Sequence, residues 1–106
     1  MIYIALLNAI IDRPEQFVGV DKNATFNCSS DATDGETVAW VKGDGSTFPP
    51  NIVQSGTVLT ITSAVVNDSG TYNCTTTKGQ ISATSVAVLT VVCKYDYLSF
   101  KFVNVK

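Results

Sequence analysis

Short runs of alternating apolar and polar residues recur along the chain, each interrupted by residues that favour turns. In 23–30, for example, Ala24, Phe26 and Cys28 share one face while the intervening polar residues share the other, as in a half-buried strand. Gly, Asp, Asn, Ser and Pro separate the runs. Short strands of this kind predict an all-β sandwich or small barrel. Further runs of strand-forming residues occupy 36–42, 51–54, 57–62, 70–77 and 81–92.

The alternation also assigns side chains to the core. No helical periodicity lasts long enough for a helix, although 63–69 has room for a single helical turn. Lys78-Gly79 predicts a tight hairpin between the last two strands. The predicted inward positions are Trp40, Leu59, Ile61, Tyr72, Cys74, Ala87, Leu89 and Val91.

The length of 106 residues suits one domain, and an apolar fraction of 45% with 15% charged residues is typical of a folded one. We assign the folded domain to 12–92. Residues 1–11 are mostly apolar and are interpreted as either a signal-peptide remnant or a first strand.

The aromatic-rich tail at 93–106 is an added strand, the start of a following domain, or the product of an incomplete gene model. The last two are favoured, because a long apolar tail on a lone domain invites aggregation.

The charge balance excludes several classes of partner. The formal net charge is −2, and the seven Lys and Arg residues are scattered among nine Asp and Glu. No basic patch therefore marks a site for nucleic acid or an anionic membrane, and no nucleic-acid partner is expected. No apolar stretch reaches the length of a membrane span, so a direct span in this chain is not expected.

Catalysis is the least supported class of function. The chain contains no histidine, which removes Ser-His and Cys-His nucleophile pairs and all histidine zinc sites. Asp31, Asp34 and Glu36 lie near Gly35, but their spacing is not that of a calcium-binding EF-hand loop. We therefore predict no catalytic, cofactor-binding or metal-binding residue and do not expect an enzyme.

Cysteines and glycosylation motifs indicate the secretory pathway. Cys28, Cys74 and Cys93 are too far apart for a CxxC motif, so the simplest count is one intramolecular disulfide and one odd thiol. A disulfide implies an oxidising compartment, hence secretion or the cell surface. Four Asn-x-Ser/Thr sequons support this location, although outward polar residues also match that motif by chance. The candidate acceptors are Asn23, Asn27, Asn67 and Asn73.

One dense motif points to a family. Trp40 follows Cys28 at a short interval. Further along the chain, a run of residues with a characteristic spacing ends at a second cysteine. The marked positions of that run are Leu59, Ile61, Ala64, Asp68, Gly70, Tyr72 and Cys74. This L-x-I-x-x-A-x-x-x-D-x-G-x-Y-x-C pattern resembles the immunoglobulin superfamily, and the resemblance covers roughly 12–92. Within the superfamily, the chain is similar to the intermediate-set or C2-type domains of adhesion proteins and receptor ectodomains.

The resemblance implies a two-sheet antiparallel Greek-key sandwich with one inter-sheet disulfide. Cys28 and Cys74 are the implied pair, with Trp40 packed against their sulfur atoms and Cys93 left out. Tyr72 is then the residue of a tyrosine corner, with its hydroxyl bonded to upstream backbone.

Two positions depart from the family pattern. Asp21 stands where a turn glycine is common before the second strand. No arginine near 51–54 is available to pair with Asp68, as happens in variable-type domains. Neither departure changes the predicted fold.

The resemblance also implies a recognition or adhesion module outside the cell that binds another protein, including a second copy of itself. The contact would use a sheet face or the loops at one end. One alternative is a structural spacer domain of a larger multi-domain cell-surface protein. A third reading, a carbohydrate-binding module, needs an exposed aromatic platform, for which Phe48 is the one loop candidate.

One sheet face is the candidate for protein binding. Exposed apolar patches commonly mark contact surfaces. Asn73 heads a sequon in the middle of this face, so a glycan there is expected to move binding to the end loops or the opposite sheet. Without that glycan, Val41 and Val88 are the expected contact positions. The mildly apolar outward positions are Ala39, Val41, Thr71, Asn73, Thr75, Val88, Thr90 and Val92.

Overall fold

The computed structural model describes residues 7–30 and 36–93. Within these residues the strands are β1 (Ala9–Asp12), β2 (Glu15–Gly19), β3 (Ala24–Ser30), β4 (Thr37–Lys42), β5 (Ile52–Ser55), β6 (Val58–Ile61), β7 (Gly70–Lys78) and β8 (Ile81–Val92). They form a first sheet of order β1-β3-β6-β5 and a second sheet of order β2-β8-β7-β4. A short 3₁₀ turn, Val66–Asp68, joins β6 to β7. The predicted all-β sandwich is confirmed, and the single helical turn falls inside 63–69.

One strand pair corrects the expectation of purely antiparallel sheets. β2 runs parallel to β8, from Glu15 beside Val88 to Gly19 beside Val92. Arg13, with a φ of 50°, and Pro14 end β1 and lead the chain from the first sheet to the second. The chain keeps its direction while it changes sheets, so it arrives beside β8 in parallel orientation. The other strand pairs of the described residues are antiparallel, as predicted.

Ala9–Asp12 forms a strand, in agreement with the first-strand alternative for residues 1–11. Ala9–Asp12 pairs with β3, with Ile11 opposite Cys28, and the Ile11 side chain is buried in the core. We therefore propose that the domain begins at or before Ala9. The aromatic-rich part of the tail, 94–106, and residues 1–6 lie outside the described residues.

The core lies between the two sheets and is centred on a disulfide. Cys28 of β3 and Cys74 of β7 are bonded to each other, with their Cα atoms 6.5 Å apart, and this confirms the implied pair. Three buried aromatic side chains surround it: the Phe26 ring lies 6.0 Å from Trp40 and 6.3 Å from Tyr72. Other buried side chains are Ala24, Ile52, Leu59, Ile61, Ala64, Ala87, Leu89 and Val91.

A buried carboxylate organises the turn before β7. Asp68 is only 3% exposed, and its Oδ2 accepts hydrogen bonds from Val65 N at 3.0 Å and from Asn51 Nδ2 at 2.9 Å. The Tyr72 hydroxyl donates to the backbone oxygen of Asp68 at 2.5 Å, which is the tyrosine-corner bond. Asn51 therefore donates to Asp68 in place of the arginine that pairs with this aspartate in variable-type domains.

Two glutamine side chains tie the sheets together at their open edges. Gln54 of β5 accepts from Trp40 N at 3.0 Å and donates to Val38 O at 2.8 Å, so it satisfies the outer edge of β4. Gln16 of β2 donates to Thr25 O of β3 at 2.7 Å, just beyond the end of β1. Unpaired backbone groups at sheet edges otherwise invite pairing with another chain. Each glutamine therefore protects an edge and links one sheet to the other.

Left-handed backbone positions occur where the turns require them. Asp21 has a φ of 71°, so it adopts the conformation that glycine supplies at this turn in the family pattern. Its N–H donates to Ala64 O, and Ala64 N donates to Lys22 O, which joins this turn to the segment after β6. Gly79, with a φ of 64°, starts the hairpin turn between β7 and β8.

Candidate protein-recognition surface

The outward side chains of β2, β4, β7 and β8 form one continuous surface, the second-sheet face. Period-two alternation turns Trp40, Tyr72, Cys74 and Leu89 into the core and leaves their neighbours outside. Four of the eight candidate positions are exposed: Ala39, Val41, Thr71 and Val88. The other four are half-buried: Asn73, Thr75, Thr90 and Val92. The structure therefore places all eight on one face.

The strand register shows which of these positions are neighbours. Asn73 lies between Val41 of β4 and Val86 of β8, each of which is 49% exposed. Val88 instead lies between Thr71 of β7 and the edge strand β2. The valines that flank the sequon are therefore Val41 and Val86, whereas the sequence pattern singled out Val41 and Val88.

Two apolar residues of this face were missed by sequence reasoning. Val86 lies two residues before Val88 on β8, so the alternation that places Val88 outward also places Val86 outward. Phe17, the most exposed large apolar residue of the described chain at 65%, lies on β2 opposite Thr90. Phe17 lies on this face because β2 pairs in parallel with β8, and no local sequence pattern predicts that pairing.

The second-sheet face carries almost no charge. No Lys, Arg, Asp or Glu occupies an outward position on β4, β7 or β8, all of which lie in the described part of the chain. Threonine hydroxyls supply most of its polarity, and Thr75 Oγ1 lies 3.0 Å from Thr84 Oγ1 on the neighbouring strand. Glu15 lies beside this face on the edge strand β2, and Asp44 lies beside it in the loop next to Thr71.

The opposite surface, the first-sheet face, is different. Its large exposed apolar residues are Ile10 on β1 and Val53 on β5, which are the two edge strands of that sheet. Polar outward residues of β3, such as Thr25 and Asn27, lie between them. Within the described residues, the second-sheet face thus has large exposed apolar side chains on three of its four strands, β2, β8 and β4, with the polar strand β7 between β8 and β4, whereas the first-sheet face has them on its two edge strands.

The four sequon asparagines lie on different parts of the surface. Asn23 precedes β3 and accepts from Ser63 N at 3.0 Å, and Asn67 lies in the 3₁₀ turn. Asn27 points outward from β3, where its Oδ1 accepts from Thr57 Oγ1 at 2.8 Å. Asn73 is half-buried on the second-sheet face. All four amides are thus at least partly accessible, but only Asn73 lies between the apolar residues.

Comparison with known proteins agrees with this geometry. The family model described as "Immunoglobulin domain" matches residues 10–77. The chain belongs to the immunoglobulin domain family. Among curated relatives, this immunoglobulin domain is 36% identical to "Cell adhesion molecule Dscam1" of Drosophila melanogaster over 92 residues, 87% of this chain and 4% of that protein. It is 30% identical to "Inactive tyrosine-protein kinase 7" of Gallus gallus over 92 residues, 84% of this chain and 8% of that protein.

Solved structures show the same fold. The N-terminal four immunoglobulin domains of Dscam1 isoform 1.9 match with a TM-score of 0.69 and 34% identity, over 82% of this chain and 21% of that chain. The full ectodomain of mouse nectin-like molecule 4 matches with a TM-score of 0.74 and 22% identity, over 83% of this chain and 31% of that chain. The chain thus spans a small share of each relative, and the relatives include proteins named for cell adhesion.

The structure places Phe48 partly against the core. Its ring stacks on Tyr72 at 6.3 Å with an interplanar angle of 27°, and the side chain packs against the core. A carbohydrate platform needs a ring face open to solvent, and one face of the Phe48 ring stacks on Tyr72. Phe48 is therefore less open to a sugar than a fully exposed loop aromatic would be.

The loops near the end of β4 form a shallow polar depression lined by Lys42, Asp44, Asn67, Ser69, Gly70 and Thr71. Hydrogen bonds from Ser46 hold the pKa of Asp44 below its ordinary value. Beneath this end, burial raises the pKa of Tyr72 to about 12, and the nearby carboxylates of Asp68 and Asp44 act in the same direction. The hydrogen bonds of Asp44 and Tyr72 thus hold the loops at this end of the sheet in place.

Residues 7–30 and 36–93 contain no cluster of three or more His, Cys, Asp or Glu side chains, while Asp31 and Asp34 fall outside them. Cys93 is a free, half-buried thiol just beyond β8. Across the same part of the chain, the structure contains no helix that could cross a membrane.

Proposed function

We propose that this immunoglobulin domain is an extracellular recognition module that binds another protein through its second-sheet face. One observation carries the proposal. Phe17, Val41, Val86 and Val88 are exposed across a surface whose strands β4, β7 and β8 present no outward charge. The buried centres of protein interfaces are depleted of charged residues in the same way, and large exposed apolar patches mark contact sites.

The size of the patch indicates a weak contact for a single domain. Complete burial of a valine or phenylalanine side chain is worth about 1.5–3 kcal/mol, and these four are already partly buried, so each has roughly 1 kcal/mol left to gain. Four such gains give about 4 kcal/mol before the entropic cost of association is subtracted, so these side chains alone support at most a millimolar complex. Several copies presented together would raise that affinity without new contacts. A weak, multivalent contact suits a module of a cell-surface protein.

A spacer role is the second candidate, and one observation favours it. The chain matches 21% of a four-domain Dscam1 fragment and 8% or less of the curated relatives, so domains of this kind occur within much longer chains. In a spacer, neighbouring domains make the contacts and this one sets distance. The exposed apolar side chains on β2, β4 and β8 favour recognition, because a spacer has no need of such residues on several strands of one sheet.

A multimeric display of the full chain separates the two functions. The chain would carry Asn73→Gln to keep the face free of glycan, and it would be tested against itself and against a panel of cell-surface ectodomains. Val41→Asp should abolish or greatly weaken binding, because it replaces one of the exposed apolar side chains of the patch with a charge. Val53→Asp is the matched control, since Val53 is 57% exposed on the first-sheet face.

Saturable binding that Val41→Asp removes and Val53→Asp leaves intact supports the proposal. Equal losses in both variants, or normal binding by both, would exclude this face. No binding to itself or to any member of a wide panel would favour the spacer function.

A further inference from the structure

Both cysteines of the disulfide stand in the middle of a sequon. Asn27-Cys28-Ser29 lies on β3, and Asn73-Cys74-Thr75 lies on β7. Alternation turns each cysteine inward and turns the asparagine and the hydroxyl residue of its sequon outward. The Cys28–Cys74 bond therefore holds Asn27 and Asn73 back to back, on the two opposite faces of the sandwich.

Both sequons occupy central strands. β3 lies between β1 and β6, and β7 lies between β8 and β4. Cys74 pairs with Trp40 on one side and Ser85 on the other. Cys28 pairs with Ile11, and its N–H donates to Thr57 O at 3.0 Å. The backbone of each sequon is thus held on both sides once the sheets have formed.

Glycan transfer needs the asparagine amide and the hydroxyl two residues later to enter an enzyme together. In the reaction, Asn Nδ2 loses a proton and bonds to C1 of an oligosaccharide, while the bond from C1 to a polyprenyl diphosphate breaks and the diphosphate leaves with the electron pair. A strand held between two others cannot leave its sheet to make this approach. Asn27 and Asn73 are therefore acceptors in the unfolded chain and not in the folded domain.

We propose that closure of the Cys28–Cys74 disulfide competes with glycan transfer to Asn27 and Asn73. In closure, the two thiols give up two protons and two electrons to a disulfide-bearing oxidoreductase, and one S–S bond forms. The sequons are then locked in their strands. Whichever reaction comes first decides whether each face carries a glycan, so the domain leaves the secretory pathway as a mixture of glycoforms.

The competition regulates the binding surface, and this consequence rests on the proposed function. A glycan on Asn73 emerges between Val41 and Val86 and covers the second-sheet face. A glycan on Asn27 covers the first-sheet face and leaves the other open. The order of two reactions during synthesis therefore sets the fraction of molecules that can bind through the second-sheet face.

Asn67 provides an internal control. Its sequon, Asn67-Asp68-Ser69, contains no cysteine and lies in the 3₁₀ turn and the residue after it, outside both sheets. Asn67 is exposed in the folded domain. The Ser69 hydroxyl of this sequon accepts a hydrogen bond from Val91 N at 2.9 Å, but no neighbouring strand pairs with the segment, so its occupancy should depend less on the rate of closure than that of Asn27 and Asn73.

The test measures glycan occupancy at each site, which requires no binding partner. The full chain is expressed in a glycosylating secretory host, with and without a brief dithiothreitol treatment that delays oxidation during synthesis. Glycans are removed enzymatically in heavy-oxygen water, and peptide masses give the occupancy. We expect the treatment to at least double the occupancy of Asn27 and Asn73 while that of Asn67 rises much less. The Cys28→Ala, Cys74→Ala double variant keeps both sequons and should show the highest occupancy, measured on intracellular protein whether or not it folds.

Three results would overturn the proposal: full occupancy of Asn27 and Asn73 without reductant, no occupancy under any condition, or an equal rise at Asn67. None of these bears on whether the second-sheet face binds protein, because the measurement is made without a partner.

Discussion

The side-chain amide of Asn51 donates a hydrogen bond to the buried carboxylate of Asp68, at 2.9 Å. A second bond, from Asn51 Nδ2 to Thr62 O at 3.0 Å, fixes the same amide against the segment after β6. A neutral donor thus satisfies a buried acid that has no arginine partner. The bond matters because an unsatisfied buried carboxylate would lose both its solvation and its partner.

Removing this amide should destabilise the domain. Asn51→Ala is expected to lower the free energy of unfolding by about 1–3 kcal/mol, the usual cost of leaving a buried acceptor short of a donor. Asn51→Asp should cost more, because it places a second carboxylate beside Asp68. Urea unfolding followed by tryptophan fluorescence measures both. If Asn51→Ala unfolds like the parent, water replaces the amide without loss and the bond is not structurally important.

Tyr72 should make stability fall in alkaline solution. An unfolded tyrosine has a pKa near 10, whereas burial raises the pKa of Tyr72 to about 12 in the folded domain. The folded state therefore holds this proton more tightly, and its stabilisation is complete below about pH 10 and is lost as the pH rises towards about 12. The expected loss is roughly 2–3 kcal/mol, at about 1.4 kcal/mol for each pKa unit.

Tyr72→Phe is the matched variant for this prediction. It keeps the ring but removes both the ionisable group and the hydroxyl bond to Asp68 O, so it should cost about 1 kcal/mol at neutral pH. Its stability should then fall less steeply than that of the parent between about pH 10 and pH 12. Parallel pH profiles for the two proteins would show that Tyr72 ionises as easily in the folded domain as in the unfolded chain.

Trp40 and Val41 offer a direct contrast between the inside and the outside of one strand. Trp40 is 3% exposed, and its Nε1 donates to Thr57 O at 3.1 Å. Trp40→Ala should lower the free energy of unfolding by about 3–5 kcal/mol. Val41→Ala, one position along β4, should stay within about 0.5 kcal/mol of the parent. Thermal melting that shows similar losses for both would contradict the assigned orientation of β4.

Thr76 is a buried hydroxyl with no hydrogen-bond partner among residues 7–30 and 36–93. Thr76→Val keeps the side-chain shape and removes the unsatisfied group, so it should raise the free energy of unfolding by about 1 kcal/mol. Guanidinium unfolding of the two proteins measures the difference. A clear loss of stability in Thr76→Val would mean that the hydroxyl has a partner in the folded protein.

The fold follows from the sequence where the pattern is local. β3, β7 and β8 alternate over seven or more residues, and the alternation alone turns Cys28, Cys74 and Leu89 into the core. The disulfide came from a family motif, not from the spacing of cysteines. β2 was not predicted, because it is short and its partner β8 lies at the far end of the chain. Long-range parallel pairing leaves no local signal.

The candidate site was only partly predictable for the same reason. Alternation places Val41, Val86 and Val88 outward, but their neighbours depend on the register between strands, which one sequence does not contain. Phe17 joins the face only through β2. Phe48 was expected to be an exposed loop aromatic, yet it stacks on Tyr72, because the loop folds back over the core. Packing between distant segments decides each of these cases.

Methyl cross-saturation is the measurement that tests the proposed binding surface most directly. The chain, with Asn73→Gln and labelled methyl groups, is bound to an unlabelled partner. Saturation of the partner's protons then lowers the intensity of the methyl signals at the interface. The proposed surface predicts signal loss at Val41, Val86 and Val88 and unchanged signals at Ile10 and Val53 on the first-sheet face. Signal loss at Ile10 and Val53, with Val41 and Val86 unaffected, would show that the domain binds through the opposite sheet.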